Sequence, residues 1–147
     1  MISFIRRLLS RKALADDAPT SMIDPQLFLY VKIPGDVQPL VRGERFEDPL
    51  ASALQEAKLG EVSGGGSQLA DPYPDGRARV EFCGMDIEVS DADRARALIQ
   101  RKLIDLEAPH GTEIHYTAGT NMLLDRLVEN GWHEGLPRTD RHPGFGV

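Results

Sequence analysis

The strongest hydrophobic pattern in the chain is the run Leu27–Ile33, in which Lys32 is the only charged residue. A short run rich in β-forming residues and ended by Pro34–Gly35 is typical of a strand covered on both faces. We therefore expect this strand to lie near the centre of its sheet. Its aliphatic positions are predicted to face the helices, which leaves Phe28 and Tyr30 on the opposite face.

The first predicted helix spans residues 48–59. Asp48 is placed to cap its first free amide groups, Pro49 suits the first helical position, and Gly60 follows as a stop. Apolar residues recur in it every three or four positions, with Leu54 at the centre of the apolar face.

Two further segments have helical spacing. Residues 91–107 follow a capping box at Ser90–Asp93 and carry Leu98 on an apolar stripe. Residues 121–130 are predicted as a third helix that ends at Gly131 and covers the aromatic face of the first strand. Its apolar positions are Leu123, Leu124, Leu127 and Val128.

Three weaker patterns predict the remaining strands. Residues 61–69 contain Gly64–Gly66, which suits an edge strand or a bulge. Residues 77–89 form the longest strand, and their apolar parity changes at Cys83–Gly84, where we expect a bulge or kink. Residues 112–117 form a short alternating strand.

The resulting order is strand, helix, strand, strand, helix, strand. This order resembles the ferredoxin-like superfold, also called the split βαβ arrangement, over residues 26–117. The resemblance implies an α+β sandwich with central first and third strands and second and fourth strands at the edges. Residues 1–25 are assigned to a basic amphipathic segment and linker, and residues 118–147 to a C-terminal helix and polar tail.

Charge is unevenly placed along the chain. Its net charge is −6, from 17 basic and 23 acidic residues, yet residues 1–12 contain four basic side chains and no acid. The rest therefore carries a net charge of −10, which disfavours nucleic acid and favours a basic partner. Residues 2–14 are predicted to pack as a helix on the domain or a neighbour, or to attach weakly to an anionic membrane surface.

The cysteine and histidine content bears on the cellular compartment and on whether the chain has catalytic or metal-binding groups. The single cysteine, Cys83, excludes an internal disulfide and suits the cytoplasm, and we read it as a small core residue. No paired nucleophile and base is evident, so the chain is predicted not to be an enzyme and to need no cofactor. The histidines match no zinc spacing and are predicted to be solvated: His110, His115, His133 and His142.

Two surfaces are candidates for binding. The first is an acidic and aromatic surface that would contact a protein partner, with Tyr73 at the tip of a turn-rich loop at 71–76. Its residues are Asp71, Tyr73, Asp75, Glu81, Asp86, Glu88 and Trp132. The second is the glycine-rich segment Gly64, Gly65, Gly66 and Ser67, which could bind a small ligand through backbone amides.

The function favoured by this sequence is that of a non-enzymatic protein-binding domain. In length, acidity and lack of catalytic groups it resembles bacterial toxin-immunity proteins, although no specific motif carries that resemblance. The resemblance implies an inhibitor that neutralises a basic partner such as a toxin. The alternative is a regulatory module that binds a small ligand at the glycine-rich sheet edge.

Overall fold

The computed structural model describes residues 23–140, 142 and 145, and the structural statements below refer to these residues. The predicted basic helix at residues 2–14 lies outside them.

Six strands form one sheet in which every neighbouring pair is antiparallel. The order across the sheet is β2-β3-β1-β4-β5-β6. The strands are β1 (Phe28–Pro34), β2 (Gly60–Leu69), β3 (Val80–Val89), β4 (Glu113–Ala118), β5 (Asn121–Val128) and β6 (Gly131–Pro137). Together with the helices this confirms the α+β class.

The first helical segment begins earlier than the sequence pattern predicts. It consists of α1 (Pro39–Arg42), a π-helical turn (Gly43–Glu47) and α2 (Asp48–Glu56). The prediction that Asp48 caps a helix is therefore wrong, because its amide bonds to the Gly43 carbonyl inside a continuous helical run. The wider π turn accommodates Pro49, which has no amide hydrogen and would clash with the carbonyl four residues earlier in a regular α-helix.

The second helix agrees with the prediction. It is α3 (Ala92–Asp105), and the Asp91 side chain caps it by accepting a hydrogen bond from the Arg94 amide at 3.1 Å. Both α2 and α3 pack on the same face of the sheet, and Leu98 lies at the rim of their core, half-buried. The buried side chains of the two helices are Leu50, Leu54, Ala95, Ile99 and Leu103.

The first strand lies inside the sheet, next to β3 on one side and β4 on the other. Leu29, Val31 and Ile33 are fully buried against the helices, and Phe28 and Tyr30 face the other way, as predicted. The expectation that residues 112–117 form an edge strand is wrong, because β4 pairs with β5 as well as with β1.

The predicted third helix at residues 121–130 is wrong. This segment is β5, and β6 follows it after a two-residue turn. Both faces of β5 are covered, because Leu124 and its neighbour Asp125 are both buried. Consecutive apolar residues therefore mark a strand buried on both faces here, and not a helical stripe.

The predicted bulge at Cys83–Gly84 is also wrong. The pairing between β1 and β3 is continuous from Phe28–Glu88 to Pro34–Phe82. The irregularities lie instead where β2 pairs with β3. One lies between Val62 and Gly64, and the other lies between Gln68 and Leu69, where the pairing passes over Glu81 of β3. The apolar parity of β3 changes at Glu81, because Val80 before it and Cys83 after it both lie in the core under the helices.

Among the described residues, no helix has the length and apolar content needed to cross a membrane.

Candidate functional site

The face of the sheet opposite the helices carries a groove centred on Tyr30. Tyr30 lies on β1, and its ring rests over Gly84 of β3, where any side chain would overlap it. Gly66 of β2 pairs with Gly84 and leaves open space above its own Cα. Because Gly84 and Gly66 have no side chains, the sheet surface beside and beneath the Tyr30 ring is formed by backbone alone.

The hydroxyl of Tyr30 is a hydrogen-bond donor directed into this groove. Burial, reinforced by the Asp86 carboxylate, raises its pKa to about 12, so the phenol is neutral at physiological pH. Within residues 23–140, 142 and 145, its oxygen has no hydrogen-bond partner. A donor in this position is suited to a group that enters the groove.

Two adjoining cavities of about 300 Å³ and 280 Å³ form this groove. They share three residues, which join them into one space that we call the Tyr30 groove: Tyr30, Phe82 and His142. The remaining lining residues are Lys32, Gly65, Gly66, Ser67, Gln68, Asp86, His115 and Asp140.

Residues near the C-terminus cover one end of the same face. The His142 ring lies 4.3 Å from the Tyr30 ring, and Phe145 meets Phe28 edge-on at 4.8 Å between ring centroids. The Arg138 guanidinium lies 4.3 Å above the Phe145 ring. These side chains take the covering role that the sequence pattern assigned to a helix at 121–130.

Charges of both signs lie around the groove. Asp86 and His142 approach to 3.4 Å, and Lys32 lies 3.8 Å from Asp140. The Lys32 ammonium also sits 4.3 Å from the centre of the Phe82 ring, in a cation–π contact. Burial lowers the pKa of His142, and the Asp86 carboxylate opposes that shift.

His115 is buried, so the prediction that its side chain is solvated is wrong. It is 2% exposed and contacts Glu113 Oε1 through Nε2 at 2.8 Å. Glu113 also accepts a hydrogen bond from Arg126 at 2.9 Å. The bond from His115, followed by that from Arg126, lowers the Glu113 pKa to about 2. His115 is buried because Tyr30 and His142 cover this side of β4.

His142, which was also predicted to be solvated, is half-buried against the Tyr30 ring. The remaining histidines and the cysteine agree with the prediction. His110 and His133 are exposed, as predicted. Cys83 is a fully buried core residue, also as predicted, and burial raises the pKa of its thiol. Within the part of the chain that the structure describes, no three histidine, cysteine or acidic side chains are arranged to hold a metal ion.

The residues predicted to form a partner-binding surface do not lie on one patch. The loop between β2 and β3 holds Asp71, Tyr73 and Asp75, and Glu81 is exposed where β3 begins. Asp86 lines the Tyr30 groove, and Glu88 follows on the same side of β3. Trp132 lies on β6, at the far end of the sheet.

Tyr73 and Trp132 are less available than the sequence suggested. The Tyr73 hydroxyl donates a hydrogen bond to the Asp36 carboxylate, and Arg77 stacks 4.8 Å above its ring. Trp132 is half-buried, and its Nε1 donates to the Gln100 carbonyl on α3 at 3.2 Å. Both aromatic side chains therefore take part in internal packing.

The glycine-rich segment fits the observed groove better. Gly65, Gly66 and Ser67 all line it, whereas Gly64 is buried in the strand. The Ser67 hydroxyl accepts a hydrogen bond from Arg42 at 3.1 Å, which connects this edge to the first helical segment.

The sequence analysis did not assign several groove residues to a site, although strand parity places two of them on the same face as Tyr30. Lys32 on β1 and Phe82 on β3 share the parity of Tyr30 and Gly84 on their strands. Aligning the two strands antiparallel places all four on one face. Asp140 and His142 carried no such signal, because they lie beyond the last strand.

A second cluster of polar groups is buried in the sheet and has a structural role. Asp125 is fully buried and accepts hydrogen bonds at 2.9–3.0 Å from four groups. The donors are the side chains of Arg96, Gln100 and Tyr116 and the amide of Gly135. Because every oxygen is satisfied, this carboxylate holds β4, β5, β6 and α3 together.

Comparison with known proteins finds no match: no family model, no curated protein and no solved structure resembles the chain.

Proposed function

We propose that the protein is a non-enzymatic protein-binding domain of the inhibitor type, and that the Tyr30 groove receives a basic segment of its partner. The proposed class is the toxin-immunity type, acting in the bacterial cytoplasm against a basic toxin-like protein. The single cysteine supports a reducing compartment.

The observation that carries this proposal is the environment of the Lys32 ammonium group in the groove. Its ammonium group lies 4.3 Å from the Phe82 ring centre and 3.8 Å from Asp140. An aromatic ring beside a carboxylate is a favourable environment for a lysine or arginine side chain. Tyr30 and Asp86 offer the same pairing of ring and carboxylate further along the groove.

The charge of the whole domain supports the same class of partner. Beyond residue 12 the chain carries 13 basic and 23 acidic residues. Such an excess attracts a basic surface at long range and raises the rate of encounter, with a strong dependence on salt.

The proposal is tested with defined peptide probes. Fluorescence anisotropy would compare a short arginine- and lysine-rich peptide with a glutamate-rich peptide of equal length at low salt. We expect binding of the basic peptide only. Changing Asp86→Asn and Asp140→Asn together should weaken it by about tenfold or more.

A matched pair of charge changes controls for non-specific attraction. Glu56 and Glu129 are exposed and do not line the groove, so Glu56→Gln with Glu129→Gln removes the same charge elsewhere. Equal loss of binding in both double variants would show that the groove has no special role and would refute the proposal.

A small ligand is the second candidate for the same groove, favoured by the Tyr30 hydroxyl and the backbone surface at Gly84 and Gly66. The expected ligand is planar, lies against Tyr30 and accepts a hydrogen bond from its hydroxyl. Compounds of this type should raise the melting temperature of the wild type and lose that effect with Tyr30→Phe. If no compound distinguishes the two proteins, this candidate fails.

We also infer that β1 to β4 with α2 and α3 form the ferredoxin-like arrangement. What supports this is the strand order β2-β3-β1-β4, in which the first and third strands are adjacent and inside the sheet. In this reading β5 and β6 extend the sheet beyond its fourth strand.

A further inference from the structure

The outer edge of β2 differs from most exposed sheet edges. β2 is the first strand in the sheet order, and residues 65–69 are exposed. From Val62 to Ala70 the chain has no charged residue and no proline. Free sheet edges are normally protected by charges, prolines or bulges, because unprotected edges pair with other strands. In β2 one bulge lies before Gly64 and a second register shift lies between Gln68 and Leu69, so residues 65–68 between them have no such protection.

The opposite edge, formed by β6, has these protections. Gly135 has a φ of +68°, and its amide turns inward to Asp125 at 3.0 Å, so it is not offered to another strand. Glu134 places a charge on this strand, bound to Arg96 at 3.2 Å, and Pro137 ends it. The contrast between the two edges points to a partner strand at β2.

Exposed aliphatic side chains accompany the β2 edge. Leu69 at its end is 58% exposed, and Leu40 and Val41 on α1 are 74% and 46% exposed. The adjoining Arg42 binds Ser67, so α1 lies beside this edge. Burying these side chains against a partner would be favourable by about 25 cal/mol for each Å² removed from water.

We propose that a second copy of this chain pairs with β2, antiparallel and about a two-fold axis near Ser67. In this register Gln68 of each copy lies opposite Gly66 of the other, and Leu69 lies opposite Gly65. No atom lies within 4 Å of the position that a Cβ on Gly66 would take, which leaves room for the Gln68 side chain. Leu69 would lie against Gly65, where Glu47 and Arg42 come within 3.4 Å and 3.6 Å of the Cβ position. Each large side chain thus faces a glycine, so the edge is complementary to itself, as a two-fold interface requires.

Charge favours the same arrangement. Two copies of a chain with a net charge of −6 repel each other at most approaches. Residues 62–70 carry no charge, and the Arg42 guanidinium that binds Ser67 is balanced by Glu47 at 3.7 Å, so copies can meet there without bringing unbalanced like charges into contact. The interface adjoins the partner site proposed above, and four residues belong to both: Gly65, Gly66, Ser67 and Gln68.

The test is sedimentation velocity of the full chain over about a hundredfold range of concentration. We expect a reversible dimer. Gln68→Lys and Leu69→Lys place charges at the interface, and each should weaken dimerisation by about tenfold or more. His133→Lys makes a matched change on the exposed part of β6 and should leave the dimer intact.

Hydrogen exchange gives a second measurement. Amide protons in residues 65–69 should become more protected as concentration rises in the wild type, and not in Gln68→Lys. A chain that stays monomeric throughout overturns the proposal, and so does a dimer that resists both β2 lysines. A dimer equally weakened by His133→Lys also overturns it. Circular dichroism of each variant confirms that the fold is retained.

Discussion

The phenol ring of Tyr30 fills the space that a side chain at position 84 would occupy. The two residues lie on adjacent strands, and Gly84 pairs with Lys32, two positions along from Tyr30. The glycine is therefore required by a neighbour and not by its own backbone conformation. The groove above the sheet depends on this contact.

Gly84→Ala should lower the free energy of unfolding by about 1–3 kcal/mol, because the new methyl group displaces the Tyr30 ring. Urea denaturation measures the loss. Gly66→Ala is the matched control on the neighbouring strand, where open space would receive the methyl group, and we expect little change there. Equal losses in both variants would contradict the proposed packing.

Combining Gly84→Ala with Tyr30→Ala tests the contact directly. Once the Tyr30 ring is removed, the new methyl group has space. Gly84→Ala should therefore lower the free energy of unfolding less in the Tyr30→Ala background than in the wild type. The double-mutant cycle should give a coupling of about 1 kcal/mol or more. Strict additivity would show that the two residues do not interact.

His115→Ala should lower the free energy of unfolding by about 2–3 kcal/mol, since it removes a buried ring and a hydrogen bond to Glu113. His110→Ala, at an exposed position, should change it by less than about 0.5 kcal/mol. A small effect of His115→Ala, measured by chemical denaturation, would contradict its burial.

Glu113 should contribute to the acid sensitivity of the fold. Its pKa is about 2 in the folded protein and 4.5 ordinarily, so the unfolded chain binds the proton more readily. The stabilisation is therefore complete above pH 4.5 and is lost as the pH falls toward 2. Glu113→Gln should flatten the stability curve in this window, whereas Glu81→Gln, at an exposed site, should not.

Asp125→Ala should be among the most damaging single substitutions, at about 3–5 kcal/mol. It removes the carboxylate that the Arg96 guanidinium contacts at 3.0 Å and leaves the buried Tyr116 hydroxyl without its acceptor. Asp93→Ala, which removes an exposed partner of Arg96, should cost less than about 1 kcal/mol. Thermal unfolding of the two variants would establish the order.

Leu54→Ala should cost about 2–5 kcal/mol, because Leu54 is fully buried between α2 and the sheet. Leu98 is half-buried, so Leu98→Ala should cost less. Equal losses in urea denaturation would mean that the rim of α3 is as tightly packed as its centre.

The sequence predicts β1 and the two main helices from clear patterns, and β2, β3 and β4 from weaker ones. It fails at β5, where the leucine spacing suits a helix and the buried Asp125 looks like a solvent position. A polar residue can occupy a core position only when partners distant in sequence satisfy it, and local patterns do not show those partners. The turn at Glu129–Asn130 before Gly131 was the overlooked signal, since asparagine followed by glycine favours hairpins.

The candidate site was harder to predict, for a related reason. His115 looked exposed because its strand alternates, and the residues that cover it, Tyr30 and His142, come from opposite ends of the chain. The glycine-rich segment was assigned correctly to an edge. Its position beside Tyr30 depended on the register of β2, β3 and β1, which local sequence does not specify.

The position of β1 in the sheet has a consequence for synthesis on the ribosome. β1 emerges before the other strands, yet its two neighbours are β3 and β4, so its pairing is complete only when β4 has been made. At typical rates of translation this delay is on the order of ten seconds. Until β3 emerges, the apolar segment Phe28–Ile33 has no strand to pair with and is available to chaperones and prone to aggregation, and its second edge stays unpaired until β4 follows. By contrast, β4, β5 and β6 can form local hairpins as soon as they emerge.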